Sequence, residues 1–355
     1  MSQTVSVIIG RFQPFHNGHK RTVDAALGQA SKVLLLVGSA STARSMQNPL
    51  TYDERKRMIA EIYPVENAEG RLIIQPIDDT LYDDATWIRD VEAIVKSTAG
   101  YLKTSDQDRS ADNDIVFLSA FGADRVSWYR RNFPNWTYLE IDDGRGTPAE
   151  ADIREAYFQA TPILPEASCP HPIVTALDAF RSSEAFQPLL AETEYVRAYR
   201  KTWSVAPFAP TFTTVDTLVL QSGHILLVRR GGQPGKGLLA LPGGFLDPQE
   251  RLRDAAIREL REETAIRDPH GEMSSEQIDR FVEDAETSVF DAPFRSSRGR
   301  TITHCFLIRL PDADDLYHVI GSDDAEHAHW YRIEDLEPAT FFEDHYSMIR
   351  KMLGF

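Results

Sequence analysis

Gly10-Arg11-Phe12-Gln13-Pro14-Phe15-His16-Asn17-Gly18-His19 is the stretch whose reading decides the fold. The apolar run before it, Val5 to Ile9, reads as a buried strand, and Lys20 to Leu27 after it reads as an opening helix. Strand, Gly-led loop and helix together present a helix N-terminus, with unpaired N–H groups and the positive end of the dipole. His16 and His19 are three residues apart and share one side of the first turn. Gly18 removes a side chain where a nucleotide would lie close to the backbone. The pattern suits polyphosphate, with two imidazoles aimed at charge that develops during reaction.

The rest of the chain bounds this reading. A length of 355 residues favours two domains, and 42% hydrophobic residues supply enough apolar material for two cores. The formal charge of −16 argues against general affinity for a nucleic-acid backbone, but not against a nucleotide met locally by metal and a few arginines. Two cysteines, Cys169 and Cys305, make neither a disulfide framework nor a Cys-rich zinc site. No apolar run approaches ~18 residues, and Val5 to Ile9 is too short for a signal segment. A cytoplasmic chain without a membrane or nucleic-acid partner is expected.

Beyond the first helix, apolar runs recur at Lys32–Val37, Arg71–Ile77, Asp114–Ser119 and Thr137–Ile141. Helical patterns separate them at Thr51–Ile62, Asp83–Val95 and Arg125–Phe133. Alternating strands and helices predict a parallel sheet with right-handed crossovers. Ligands of such sheets lie at the carboxyl ends of the strands, here Gly10–Arg11, Gly38–Ser39, Ile77–Asp79 and Ser119–Asp124. Thr51 with Glu54 three residues on reads as a capped helix start.

Gly10, Phe12, Pro14, His16, Gly18 and His19 fill every position of GxFxPxHxGH, which resembles the nucleotidyltransferase signature. Gly38-Ser39-Ala40 through Asn48-Pro49-Leu50-Thr51, then Glu54-Arg55 and Met58-Ile59, is similar to the archaeal-type nicotinamide mononucleotide adenylyltransferases. The resemblance covers roughly residues 1–160. It implies transfer of an adenylyl group from ATP to nicotinamide mononucleotide, giving NAD and pyrophosphate, with Mg²⁺. It further implies His16, His19 and Arg154 as catalytic groups, and Gly10, Arg11, Phe12, Gly18 and Asp124 as nucleotide contacts. Spacing alone makes Trp87, with Ile88, Val91 and Ile94, a core residue. The resemblance makes it a stacking partner for the nicotinamide ring, a reasonable place for an aromatic face over a cationic pyridinium. One departure stands out: the family's Ser-x-Thr-x-x-Arg is Ala149-Glu150-Ala151-Asp152-Ile153-Arg154 here. Arg154 can still pair with a phosphate, but both hydroxyls are gone.

Pro162, Pro165, Pro170 and Pro172 mark a boundary. Residues 173–203 look helical, and 171–205 read as a connector. Thr213–Gln221 and His224–Arg230, joined at Ser222-Gly223, give a hairpin signal. Then Gly244 is followed at fixed spacing by Glu250 and by Arg258-Glu259-Leu260-Arg261-Glu262-Glu263. Residues 249–264 read as a helix capped by Asp247. Glu259 and Glu263, four apart, share a face, and Glu262 adjoins them. Three carboxylates on one face repel each other, and hard divalent cations with oxygen ligands relieve that. Mg²⁺ or Mn²⁺ would activate water and bridge a diphosphate.

This spacing is the Nudix box, Gx5Ex7REUxEExGU with U aliphatic, save that its last Gly is Ala265, a conformational cost at the helix exit. Asp291 to Arg300, Thr301-Ile302-Thr303-His304, Gly321 to Glu326 and Phe342-Glu343-Asp344-His345 resemble the ADP-ribose-type Nudix proteins joined to nicotinamide mononucleotide adenylyltransferases. The resemblance implies cleavage of ADP-ribose to AMP and ribose 5-phosphate. Glu259, Glu262 and Glu263 would bind the metal, with Glu250 in support and Arg258 holding the helix geometry. The Arg295–Arg300 turn is the candidate for substrate choice. The general base is a box Glu or an acid of the Asp323-Asp324-Glu326 loop, with Glu326 favoured for reach.

The whole reads as an α/β Rossmann-like nucleotidyltransferase domain with a parallel sheet (1–170), a helical connector (171–205) and an α+β Nudix domain (206–355). ATP, nicotinamide mononucleotide and ADP-ribose are the expected small-molecule partners, and the reading leaves room for a homo-oligomer. Two rivals stand beside it. One changes the substrate, to pantetheine phosphate in the first half or another nucleoside diphosphate derivative in the second. The other makes the second half a non-catalytic ADP-ribose sensor, but such sensors lose acidic box residues and carry a basic DNA-binding segment, whereas Glu259, Glu262 and Glu263 are present in an acidic chain.

Overall fold

The structure, a computed structural model, describes residues 4–98, 115–119, 123–140, 148–159, 168–321 and 325–355. The side chains of 115–119, 123–127, 139, 140, 284, 325 and 326 fall outside that description. The chain divides into two compact units, Met1–Leu190 and Ala191–Phe355.

The first unit is built on β1 (Val5–Gly10), α1 (Asn17–Gln29), β2 (Lys32–Val37), α2 (Tyr52–Ile62), α3 (Pro64–Ala68), β3 (Leu72–Pro76), α4 (Asp84–Thr98), β4 (Ile115–Ser119), α5 (Ala123–Asn132), β5 (Thr137–Glu140) and α6 (Glu150–Tyr157). Its five strands pair in parallel in the order β3-β2-β1-β4-β5. The strand β2 shows why. Val33, Leu35 and Val37 enter one core while Leu34 and Leu36 enter the other. A strand apolar on both faces must be covered on both, which parallel crossovers with helices achieve. Burying a Leu of this kind stabilises by about 1.5–3 kcal/mol. The order reverses between β1 and β4, so the segment following β1 lies where such sheets take their ligands.

Two more helices follow, α7 (His171–Arg181) and α8 (Phe186–Trp203). Ile173, Leu177, Phe180, Phe186 and Leu189 are buried in the same core as Ile153, Tyr157 and Phe158. Phe186 stacks on Phe158 at 5.5 Å and meets Tyr157 edge-on at 5.6 Å. The segment read as a connector is therefore partly core, and the boundary of the compact units, 190/191, falls within α8.

The second unit contains β6 (Thr211–Gln221), β7 (His224–Arg230), β8 (Leu239–Ala240), β9 (Gly243–Phe245), α9 (Leu252–Thr264), β10 (Arg267–Asp268), β11 (Gly271–Glu272), α10 (Ser275–Asp279), β12 (Ser288–Phe290), β13 (Arg300–Arg309), β14 (Ala325–Arg332) and α11 (His345–Leu353). Its mixed sheet runs β12-β13-β6-β7-β14, with β8 on β7 and β9 on β6. The long parallel pair β6/β13 forms its centre, and the predicted β6–β7 hairpin turns at Ser222-Gly223. Ala255 and Ala256 of α9 pack on Val215 and Phe306, so that small residues let the helix approach the sheet closely.

The helix α9 begins at Leu252, with Arg251 as N-cap, and this corrects the expected start at 249 under Asp247. Asp247 caps nothing; its N–H donates to Glu250 Oε1 at 2.8 Å, and Glu250 is drawn to Arg258 instead of the first turn. No helix among the described residues is long and apolar enough to cross a membrane.

Candidate active sites

The first site lies where β1 runs into α1. His16 is the N-cap of α1, and its Nδ1 accepts the N–H of Gly18 at 3.0 Å and of His19 at 3.4 Å. His19 Nδ1 in turn accepts the His16 N–H at 3.2 Å. This is a capping box made from two histidines. An Nδ1 that accepts N–H groups carries no proton, so each neutral ring keeps its proton on Nε2. The rings stack at 3.7 Å between centroids, and Phe12 meets His19 edge-on at 4.7 Å. Burial pushes the His16 imidazole down to about 4, against the pull of Glu150 and with a smaller push from Arg21. Burial, then the neighbouring His16, hold His19 well below the usual histidine range.

The loop between strand and helix is held from outside. Arg55 of α2 is buried; its Nη1 donates to Arg11 O (2.6 Å) and Gly38 O (2.7 Å), Nη2 to Ser39 O (2.9 Å) and Nε to Thr51 O (3.2 Å). The helix α2 carries the predicted Thr51/Glu54 capping box, and Arg44 pairs with Glu54 through both nitrogens at 2.8 Å. Gln13 pairs with the Leu50 backbone in both directions, at 2.7 and 3.0 Å. Gly10 is required here: a Cβ would meet the Phe12 ring at 2.9 Å.

Arg154 of α6 is half-buried, donates to Gln13 O at 2.7 Å and lies 3.6 Å from Glu150, whose carboxylate also accepts the Gln13 N–H. Burial, offset by Glu150, lowers the Arg154 guanidinium, and the nearby charge of Arg11 adds to this. Arg11, Arg55 and Arg154 thus form one cationic neighbourhood around the histidine loop. Ala149 is the N-cap of α6 and makes no side-chain cap, the structural consequence of the missing hydroxyl.

Trp87 is half-buried against the core with Trp128 edge-on at 5.6 Å and Tyr129 at 6.3 Å. It also lines a cavity of about 320 Å³ with Asp79, Thr80, Leu81, Asp84, Trp128 and Tyr129. Trp87 is thus a core residue that also faces a cavity. Trp128 and Tyr129 were not singled out, because their ring partner lies on another helix. Asp124 belongs to α5, but its side chain lies outside the described residues.

The second site gathers on α9. Glu263 is buried, and its Oε2 accepts the Gly243 N–H at 2.9 Å. Burial pushes its carboxyl up to about 8, and repulsion from Glu259 and Asp216 adds to this. Burial likewise raises Glu259. A Cβ on Gly244 would sit 2.5 Å from Glu259 Oε1, so glycine lets the carboxylate lie on the backbone. Arg258 joins the set: it donates to Glu250 (2.6 and 3.0 Å), Glu259 (2.8 Å), the more exposed Glu262 (3.0 Å) and Phe245 O (3.3 Å).

Two carboxylates forced together at raised pKa, beside a third, form a donor set that fits a hard divalent cation. Among the described residues no group of three or more His, Cys, Asp or Glu side chains stands at metal-ligand geometry. Asp216 was not foreseen. It is buried beside Gly243, accepts from Thr303, and burial raises its carboxyl to about 6 despite the opposing Arg295 charge.

The expected substrate arginines are corrected in part. Arg295 is buried, and its guanidinium grips Asp344 through Nε and Nη2 at 2.9 and 2.8 Å. It serves as an internal clamp, because a buried cation so paired is costly to release. Arg300 turns to Asp291, donating to its carbonyl. Asp323 and Asp324, and the side chain of Glu326, lie outside the described residues; the Glu326 backbone occupies the register shift between Ala325 and His327.

A parallel nucleotide-binding unit with paired histidines, joined to a mixed-sheet unit with a carboxylate helix, defines a class: a nucleotidyltransferase followed by a Nudix domain. Family models agree, with a cytidylyltransferase-like domain over residues 7–104 and a NUDIX domain over residues 210–352. The chain is 31% identical over 52% of its length to a nicotinamide/nicotinic acid mononucleotide adenylyltransferase of Acinetobacter baylyi, covering 89% of that protein. It is 28% identical over 38% of its length to an ADP-ribose pyrophosphatase of Methanocaldococcus jannaschii, covering 69% of that protein. A crystal structure of a bifunctional NMN adenylyltransferase/ADP ribose pyrophosphatase from Francisella tularensis, complexed with AMP and a Mn ion, matches with a TM-score of 0.87 and 32% identity, over 99% of both chains. The chain belongs to the family of bifunctional NMN adenylyltransferase/ADP-ribose pyrophosphatases.

Two outcomes follow from α9. Ala265, its C-cap, holds a left-handed φ of 41°, which costs an L-residue about 1 kcal/mol relative to glycine. Ala265→Gly should therefore raise stability by roughly 0.5–1 kcal/mol in denaturant unfolding; a loss would show that the methyl group packs usefully. Glu263 binds a proton more tightly folded (about 8) than its ordinary value of 4.5, so its contribution to stability falls as pH rises through that window. A divalent cation needs the carboxylate, so Mg²⁺ should raise the melting midpoint more at pH 8 than at pH 6. An equal rise at both would place the cation elsewhere.

Proposed function

We propose that the protein makes NAD in its first unit and hydrolyses ADP-ribose in its second, and that it works in the cytoplasm. One conjunction carries the reading: two neutral, mutually capped imidazoles within a cationic loop on one unit, and an anchored carboxylate helix on the other.

In the first reaction the phosphate of nicotinamide mononucleotide attacks the α-phosphorus of ATP directly, and pyrophosphate leaves. His16 and His19 offer Nε2–H donors to the triphosphate oxygens, where charge builds in the transition state. Neither acts as nucleophile. Arg11 and Arg154 add positive charge, and Trp87 with Trp128 holds the pyridinium. Arg154 also keeps Gln13, and with it the histidine loop, in place.

In the second reaction Glu259, Glu262 and Glu263 would hold Mg²⁺, for which Mn²⁺ can substitute. Such ions supply charge neutralisation on a diphosphate and a more acidic water. Arg258 keeps Glu250 and Glu259 aligned, and the Gly243 N–H fixes Glu263. Glu326 is the proposed general base; bulged strand positions commonly re-aim side chains at active sites.

The test is product analysis on the purified chain: NAD from ATP plus nicotinamide mononucleotide, then AMP and ribose 5-phosphate from ADP-ribose with Mg²⁺. Binding of ADP-ribose without release of AMP would favour a sensor. The NAD-forming reaction carries its own pH signature. Burial holds both rings below the usual histidine range, His16 down to about 4, so both are neutral near 6.5 and kcat/KM should show no inflection there. An acid limb centred on 6.5 would mean that a protonated ring is required. Between about 4 and 6.5 the folded chain binds fewer protons than the unfolded one, so stability should fall as pH drops through that window.

A further inference from the structure

The carboxylates of α9 would meet a diphosphate only through a cation, so a group that binds it directly must come from elsewhere in the unit. Three arginines lie on one turn, and they differ in what already holds them. Arg295 is held internally by Asp344, and Arg300 turns out to the Asp291 carbonyl. Arg298 is half-buried, and its guanidinium lies 5.1 Å over the ring of Phe245 and 6.0 Å over that of Phe342. Among the described residues its side chain makes one hydrogen bond, Nε to Ser296 Oγ at 3.4 Å; Nη1 and Nη2 make none.

The position of Phe245 is informative. It follows Gly244, against whose backbone Glu259 lies, and its carbonyl accepts from Arg258. Phe245 is 36% exposed, although Phe212 packs edge-on against its ring at 5.9 Å. A large aromatic is thus left part-exposed, in contact with Phe212 and carrying a guanidinium. Arg298 also acts on the interior acids, since its charge lowers the carboxyl of Glu343, which burial raises. Packed against two rings, the fork loses little freedom when it binds an anion.

We infer that Arg298, oriented by Phe245 and Phe342, is the group that binds the substrate diphosphate directly, through its two Nη groups. This deepens the ADP-ribose reading and rests on it. Arg298 is a binding residue and Phe245 a positioning one.

The experiment uses the full chain. Arg298→Ala should raise KM for ADP-ribose about tenfold or more, equivalent to ~1.4 kcal/mol, with a smaller change in kcat. Arg298→Lys should recover little, because an ammonium lacks the planar fork. Phe245→Ala should raise KM less, and Phe245→Tyr should leave it near wild type. A lowered melting midpoint with unchanged KM in Arg298→Ala would overturn the inference and leave Arg298 a packing staple. A second arm does not depend on turnover: calorimetric titration with the methylene-bridged diphosphate analogue of ADP-ribose, with ATP present to fill the first site. About tenfold weaker binding in Arg298→Ala supports the inference, and equal binding overturns it. A wild type that binds the analogue but cleaves no ADP-ribose sinks the hydrolase reading while this arm still decides Arg298. A wild type that binds neither compound overturns both.

Discussion

A single buried guanidinium holds the adenylyl-transfer site together. Arg55 ties the carbonyls that follow β1 to those that follow β2, and ties both to the start of its own helix. Burial lowers it to about 10, partly offset by Glu150 and Asp79, so it stays charged at neutral pH. Burying a charge is unfavourable unless its hydrogen bonds are made, and here carbonyls make four. The histidine loop inherits that rigidity. Gln13 is fixed to Leu50 on one side and to Arg154 and Glu150 on the other, so His16 and His19 meet as a capped pair.

The second unit solves a similar problem with backbone N–H groups. Gly243 N–H holds Glu263, and Leu241 N–H donates to His345 Nδ1 at 3.0 Å. His345 is kept neutral by burial and by the charges of Arg295, Arg230 and Arg298. The glycine loop is thus fixed at both ends, by α9 and by the first turn of α11. In both units, groups beside the reacting residues set their protonation: imidazoles stay neutral, while carboxyls are raised to the point where a cation relieves them. Preorganisation of this kind is what electrostatic catalysis requires.

The parts legible in the sequence are those encoded over short spacings. Strand periodicity gave the parallel sheet, a separation of three placed His16 and His19 in one turn, and a separation of four put Glu259 and Glu263 on one face. Partnerships set by the fold were not legible. Arg295 is taken by Asp344, 49 residues on, so an Arg-rich turn looked more available than it is. The start of α9 was misplaced because Glu250 turns to Arg258, not to the helix start. The prolines before α7 marked a connector, but what it packs on is set by the fold: Phe180 and Phe186 meet edge-on at 6.0 Å within the first core. Asp216, in the middle of an ordinary strand pattern, gives no local sign that it faces Gly243.

The central claim is that one chain carries two chemically separate sites. Measuring both activities in each of two variants tests it most directly. His19→Ala should lower NAD formation by about 10²-fold, the scale of losing one preorganised donor, with ADP-ribose cleavage intact. Glu262→Gln should abolish ADP-ribose cleavage, with NAD formation intact. Loss of both activities in either variant, or of neither, would contradict the account.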